Sequence, residues 1–467
     1  MTTSLRVLIA CAAVFGGRAA AAEPAEANSA NPPNLVVFIS DDHGYLDSSP
    51  AGSPDVRTQN LARLARDGIM FTHAYAASPT CAPSRAALLT GLLPVRNGSM
   101  LNHQPPRPGV KKLPAYLHEL GYEVVAIGKV AHYKQGKDYG FDLVSHDTFH
   151  DHQCIPAALK FLEKRTSNKP LCLLVGTNWP HVPWPDAARA TDPAKVTLPP
   201  THVDTPETRA WRAKYLAAVE RFDADLGKVC DAAYRTLGDH TAFIHFSDHG
   251  AQWPLGKWNL YDAGVRVPMF VVWPGVVEAG SKCDAMISLV DVLPTLVELA
   301  GGAPPEDIDG QSFTAALRQE EFSGRKVLFT THSGDGKMND FPMRGVRTAR
   351  WNYIRNLRPD AEHHTHIDLG KNPDGNAYWQ SWVERAKTDA NAKAKVDRYF
   401  HRPVEELYDL QSDPYEQRSL VEDPAAGPTL ARLRAELDRQ MAAAGDEGLA
   451  SDDAAAKAFH ELAEQAK

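Results

Sequence analysis

The stretch Leu35-Val36-Val37-Phe38-Ile39-Ser40-Asp41-Asp42 sets the fold. Its five consecutive apolar residues, three of them β-branched, lack the alternation of a half-buried strand and match a strand covered on both faces. Similar runs recur at Val124-Val125-Ala126-Ile127, Leu171–Val175, Ala242–Phe246 and Met269–Trp273. Helical patterns lie between them, over Thr58–Asp67, Pro114–Leu120, Thr208–Leu226 and Val292–Ala300. Strands alternating with helices predict an α/β domain built around a large, mostly parallel sheet sandwiched by helices.

Ligands of such sheets bind outside the carboxyl ends of the strands. Four of the five predicted strands end in polar, reactive residues. They run into Asp41-Asp42, Gly128-Lys129, Asn178-Trp179-Pro180-His181 and Asp248-His249-Gly250, and this convergence predicts one site. The adjacent carboxylates Asp41 and Asp42, with Asp248, suit a hard divalent cation such as calcium. Acidic residues after strands also serve as turn formers and caps, so neither pair alone decides the matter.

A second informative stretch is Cys81-Ala82-Pro83-Ser84-Arg85-Ala86-Ala87-Leu88-Leu89-Thr90-Gly91. Proline is tolerated in the first helical turn, which places Cys81 at a helix N-terminus. Backbone N–H groups there favour negative charge, suiting an activated sulfur or an anionic substrate. The pattern Cys-x-Pro-x-Arg with its Leu-Leu-Thr-Gly tail resembles the signature of the type I, formylglycine-dependent sulfatases of the alkaline phosphatase superfamily. The resemblance extends over roughly residues 34–425. It implies that a formylglycine-generating enzyme oxidises Cys81 to an aldehyde whose hydrate is the nucleophile. It further implies one calcium ion among Asp41, Asp42, Asp248, His249 and the converted residue 81.

Details place the chain nearest to the iduronate-2-sulfatase and heparan N-sulfatase-like arms of that family. Ser247-Asp248-His249-Gly250 carries His where many relatives have Asn, and Lys129-Val130-Ala131-His132 is one residue wider than the usual Lys-x-His. Both features resemble the iduronate arm. Asn102-His103-Gln104 resembles a substrate-proximal loop of the heparan arm, which makes His103 a candidate substrate-binding residue. The resemblance implies that Lys129 meets the sulfate oxygens and His132 the formylglycine hydroxyl. His181, in Pro180-His181-Val182-Pro183, and Lys257, heading the block Lys257–Pro268, would bind sulfate and protonate the leaving oxygen. Arg85 would stabilise the hydrated aldehyde. The expected activity is hydrolysis of sulfate esters on a sulfated carbohydrate. A phosphonate monoester hydrolase or phosphodiesterase of the same superfamily is the rival enzyme, and a sulfated-glycan binder is the reading if Cys81 stays unmodified.

The remaining organisation fits an exported enzyme. Arg6, the apolar run Val7–Phe15 and Ala20-Ala21-Ala22 predict a signal peptide over 1–22, followed by a linker over 23–33. Leu8-Ile9-Ala10-Cys11 resembles a lipoprotein box, but the apolar run before Cys11 is short for one. A catalytic domain is expected over 34–330, a smaller C-terminal α+β subdomain over 331–445 and a loose tail over 446–467. No membrane span is expected, and a net charge of -8 argues against nucleic acid as partner. Cys154, Cys172, Cys230 and Cys283 read as buried thiols or as up to two disulfides. His363-His364-x-His366 reads as a solvated loop more than a second metal site, and His146, His150 and His152 as a structural loop near the pocket mouth.

Overall fold

The computed structural model describes residues 32–186, 191–336, 338–370 and 373–465. The expected signal peptide, Cys11 and most of the linker lie outside them. In chain order the strands are β1 (Asn34–Ser40), β2 (Ile69–Tyr75), β3 (Glu123–Gly128), β4 (Leu143–Ser145), β5 (Leu171–Gly176), β6 (Thr241–Ser247), β7 (Arg266–Val272), β8 (Ser281–Cys283), β9 (Ile287–Ser288), β10 (Leu328–His332), β11 (Met343–Arg347), β12 (Trp351–Asn356) and β13 (Glu405–Asp409). The first nine form one sheet in the order β4-β3-β5-β1-β6-β7-β2-β8, with β9 also paired to β2. The last four form a second, antiparallel sheet.

β1 is central because both of its faces are apolar. Val36 and Phe38 enter one core and Leu35, Val37 and Ile39 the other, all fully buried. The first core is closed by α1 (Gln59–Asp67) and the helices Cys154–Lys164 and Pro206–Leu237; the second receives Leu88 and Leu89 of α2 (Cys81–Thr90) and the helix Val292–Leu299. Burial of this kind contributes about 1.5–3 kcal/mol per large aliphatic side chain.

β3, β5, β1 and β6 are adjacent and parallel, so the four reactive strand ends share one edge. β7 runs antiparallel to both of its neighbours, β6 and β2. Its carboxyl end therefore points away from that edge, while its start lies beside it and receives the chain from Lys257–Ala263. This is why the fifth predicted strand ends without reactive residues. β2 was not anticipated from sequence: Thr72-His73 interrupts its apolar run, and the pairing register with β7 shifts between Phe71 and Ala74.

The smaller sheet holds β10 to β13, but the intervening helices Pro373–Ala386 and Ala390–Phe400 pack into the first core of the large sheet. Trp382 Nε1 donates to Thr208 Oγ1 at 2.7 Å, and Trp379 and Tyr399 are buried there. The stretch expected as a loose tail differs more sharply. It carries the helix Leu449–Gln465, held by the fully buried Arg344, which pairs with both Asp446 and Asp452. Composition alone misleads here because the helix is fastened by two aspartates to an arginine about a hundred residues earlier. Arg344→Met is expected to strand those carboxylates and cost about 3–5 kcal/mol, the range for breaking a buried pair, read as a lowered Tm. Cys154, Cys172 and Cys230 are buried free thiols and Cys283 is a half-buried one, so the disulfide alternative is not realised among the described residues. No helix among the described residues is long and apolar enough to cross a membrane.

Candidate active site

α2 begins at Cys81 and every one of its ten residues is buried. Its start faces the carboxyl edge of the large sheet. Cys81 Sγ lies 3.2 Å from His249 Nε2, 3.5 Å from Lys129 Nζ and 3.7 Å from Asp41 Oδ1. Ala82 N–H, in the first turn, donates to Asn102 Oδ1 at 3.2 Å, and Ser84 Oγ donates to the Asp248 carbonyl. These bonds tie the helix start to β6 and to the loop carrying His103.

Three carboxylates and three permanent cations are buried together around Cys81. Lys129 Nζ donates to Asp41 Oδ2 at 2.6 Å, and Lys257 Nζ spans both oxygens of Asp42 at 2.8 and 2.9 Å. Arg85 Nε donates to Asp248 Oδ2 at 2.9 Å, and its Nη1 bonds to the carbonyls of Lys129 and Val130. Its Nη2 has no hydrogen-bond partner and lies 3.4 Å from Asp41 Oδ1. His249 Nε2 is 3.5 Å from Asp42 and 3.6 Å from Asp248. Lys129 also stands 4.2 Å over the ring of Tyr133, a residue that sequence did not single out. Its cation–π contact could not be read from the chain, because Tyr133 follows the Lys129–His132 motif with no recognisable pattern of its own.

The charges shift each other. Burial alone would raise the Cys81 thiol, but Lys129, Lys257 and His249 outweigh it and hold the group well below its ordinary value. Burial pushes Asp248 up to about 6 despite Arg85 and His249. Burial would lower His249, yet Asp248 and the Cys81 sulfur carry it up to about 9. Burial lowers His132 to about 3, so it is a neutral imidazole.

The other sequence-selected residues join this centre at its rim. His132 Nε2 and His103 Nδ1 are 2.6 Å apart, with His103 exposed and at a φ of 72°. His181 Nε2 lies 3.9 Å from Asp42 Oδ2, and its ring is 5.8 Å from that of His150. His146 instead bonds to Asp151 in its own loop, and His152 stacks on Trp179. Ligand atoms of Asp41, Cys81, Asp248 and His249 all lie within 4.8 Å of one another, as do those of Asp42, Cys81 and His181. The oxygen-rich part of this donor set suits a hard cation, whereas the His249 nitrogen and the Cys81 sulfur are softer donors.

A nucleophile-bearing helix start, clustered carboxylates and converging cations form a centre for chemistry on a tetrahedral oxyanion. The family model described as Sulfatase matches residues 33–303. The chain belongs to the sulfatase family. It is a sulfuric ester hydrolase by that membership, with the fold of the alkaline phosphatase superfamily. A second model, N-sulphoglucosamine sulphohydrolase, C-terminal, matches residues 250–398 of this sulfatase. An ulvan-active sulfatase of Formosa agariphila is 32% identical over 427 residues, covering 89% of this chain and 81% of the relative. Human N-sulphoglucosamine sulphohydrolase is 27% identical over 461 residues, covering 87% and 89%. Among solved structures, one in complex with its substrate D-glucosamine-2-N,6-O-disulfate superposes with a TM-score of 0.68 at 19% identity, covering 89% of this chain and 99% of the other. A phosphonate monoester hydrolase from Silicibacter pomeroyi gives 0.67 at 19% identity, covering 89% and 96%. These two likenesses concern the fold.

Proposed function

We propose that this sulfatase is an exported, calcium-dependent enzyme that hydrolyses sulfate esters on a sulfated carbohydrate through a formylglycine made from Cys81. The observation that carries the reading is the buried Cys81 sulfur, ringed by His249, Lys129 and Asp41 at the start of α2. The ulvan and glucosamine-sulfate chemistry of relatives supports a glycan substrate. The donor set fits both groups: Asp41, Asp42, Asp248 and His249 would hold the calcium, and the Cys81 sulfur is surrounded by cations and an imidazole. When present, the hydrated aldehyde supplies a nucleophilic hydroxyl and the metal neutralises sulfate charge.

The chain's own residues do the rest. Arg85, Lys129 and Lys257 balance the three aspartates in formal charge, so a divalent cation leaves the site positive toward an anionic ester. Lys129 and Lys257 orient the sulfate oxygens and withdraw charge from sulfur. His181, at the rim beside Asp42, or Lys257 passes a proton to the departing alcohol oxygen. His132, neutral and paired with His103, would hydrogen-bond the hydroxyl of the converted residue 81. Arg85 Nη2, 3.4 Å from Asp41 Oδ1 and without a hydrogen-bond partner, would hold the hydrated group in place.

The test is mass spectrometry of the peptide bearing residue 81, on protein made with a formylglycine-generating enzyme. A loss of about 18 Da relative to cysteine is expected, the change that creates the nucleophile's precursor. The same preparation should carry one calcium per chain and cleave an aryl sulfate faster than the matched aryl phosphonate. Unmodified cysteine in a competent host, or preference for the phosphonate, sinks the reading.

A further inference from the structure

The histidines at 146, 150 and 152 fasten a loop. His146 Nδ1 donates to Asp151 Oδ2 at 2.8 Å, and His150 Nε2 donates to the Val182 carbonyl at 2.6 Å. His152 stacks on Trp179 with ring centroids 5.0 Å apart at 11°. Lys134 N–H donates to Asp147 O at 3.0 Å, which joins the loop to the segment after Lys129. His146 and His150 have positive φ, 58° and 49°. Residues other than glycine keep that conformation only where their surroundings enforce it. Between these two fixed points stands Phe149.

Phe149 is 54% exposed. A single exposed aromatic needs no explanation of its own, but the neighbours of this one give it a place. Its ring meets that of His181 at 5.7 Å and 83°, and that of Tyr133 at 5.5 Å and 85°. His181 Nε2 is in turn 3.9 Å from Asp42 Oδ2, and the Tyr133 ring has Lys129 Nζ 4.2 Å from its centroid. Two lines of contact therefore leave the reaction centre and meet at one ring. Exposure rises along both: Asp42 and Lys129 are fully buried, His181 and Tyr133 are partly buried, and Phe149 is open.

Resting on the sulfatase reading above, we propose that Phe149 is the platform on which the sulfate-bearing sugar ring stacks. An ester whose sulfate is held by Lys129 and Lys257 directs its alcohol part outward past His181, onto Phe149. The C–H face of a pyranose packs against an aromatic ring by dispersion and by attraction to the negative π face, while its hydroxyls stay in water. Such a contact favours a cyclic sugar without reading any single hydroxyl, and adds nothing for an ester that lacks a ring. The bonds of His146 and His150 fix the loop beforehand, so little freedom is lost when the sugar arrives.

The experiment measures binding, by calorimetry, to calcium-loaded protein carrying Cys81→Ser, so that turnover does not intervene. The probes are the 6-sulfates of glucosamine and galactose and the 3-sulfate of rhamnose, with methyl sulfate and inorganic sulfate as ringless controls. At least one sugar should bind more tightly than methyl sulfate. Phe149→Ala should weaken that sugar about ten-fold more than it weakens either control, the scale of an aromatic contact together with its buried area. Phe149→Trp should restore the sugar to within about two-fold, since the larger ring offers the same face. A disturbance passed on through His181 would instead weaken sugar and controls alike. Equal losses for sugar and controls, no recovery in Phe149→Trp, or no sugar bound above methyl sulfate would each overturn the proposal. Failure of the underlying reading shows elsewhere, as absence of aryl sulfate hydrolysis by the formylglycine-bearing enzyme.

Discussion

Cys81→Ser should lose about 10⁴-fold or more in kcat on an aryl sulfate, while its Tm stays close to that of the parent. The scale is that of deleting a covalent nucleophile, and 10⁴-fold corresponds to about 5.4 kcal/mol of transition-state stabilisation. The fold should tolerate the change because oxygen is only slightly smaller than sulfur and its surroundings are polar. His249 Nε2 and Lys129 Nζ, at 3.2 and 3.5 Å from the sulfur, remain as partners for a hydroxyl. The serine has one hydroxyl, whereas under the proposed mechanism the hydrated aldehyde would carry two, one to attack and one to drive release of sulfate. Protein from a host without the maturation enzyme should match the variant in rate. If Cys81→Ser retained activity within ten-fold of the modified parent, the nucleophile would have to be another group, and the reading of α2 would fall with it.

The sequence was most legible where local chemistry and global position coincide. Leu35–Ile39 announced a doubly covered strand because burial on both faces removes polar residues from both parities. Asp41, Lys129, His181 and Asp248 could be gathered on paper because parallel neighbours put their carboxyl ends on one edge. The direction of β7 could not be read, since a run such as Met269–Trp273 looks the same whether its partners are parallel or not. β2 was hidden by Thr72-His73, a local polar interruption absorbed by an irregular pairing with β7. The C-terminal helix was misjudged because its anchor is a contact between Arg344 and Asp452, invisible to any local window. His366 belongs with these: its three-histidine pattern reads as a solvated loop, yet its neighbour in space is the buried Trp258, more than a hundred residues earlier.

Arg85→Met should be the most damaging single change to the protein as a whole, lowering stability by about 3–5 kcal/mol and abolishing measurable turnover. The guanidinium is fully buried and binds Asp248, the carbonyls of Lys129 and Val130, and stands by Asp41. It thereby connects α2 to the ends of β1, β3 and β6. Methionine fills much of the same volume, so the loss is not chiefly a cavity; it is the loss of the cation that pairs with Asp248 Oδ2 and of the donor to two buried carbonyls. Arg85→Lys should recover little. An ammonium is a compact point charge and cannot reach a carboxylate and two carbonyls through a rigid planar fork. Thermal unfolding of the two variants beside the parent checks the stability half, and aryl sulfate kinetics on whatever folds checks the other. If Arg85→Lys were as stable and as active as the parent, Arg85 would serve as a charge alone, and its role in fixing the geometry of Asp248 would have to be abandoned.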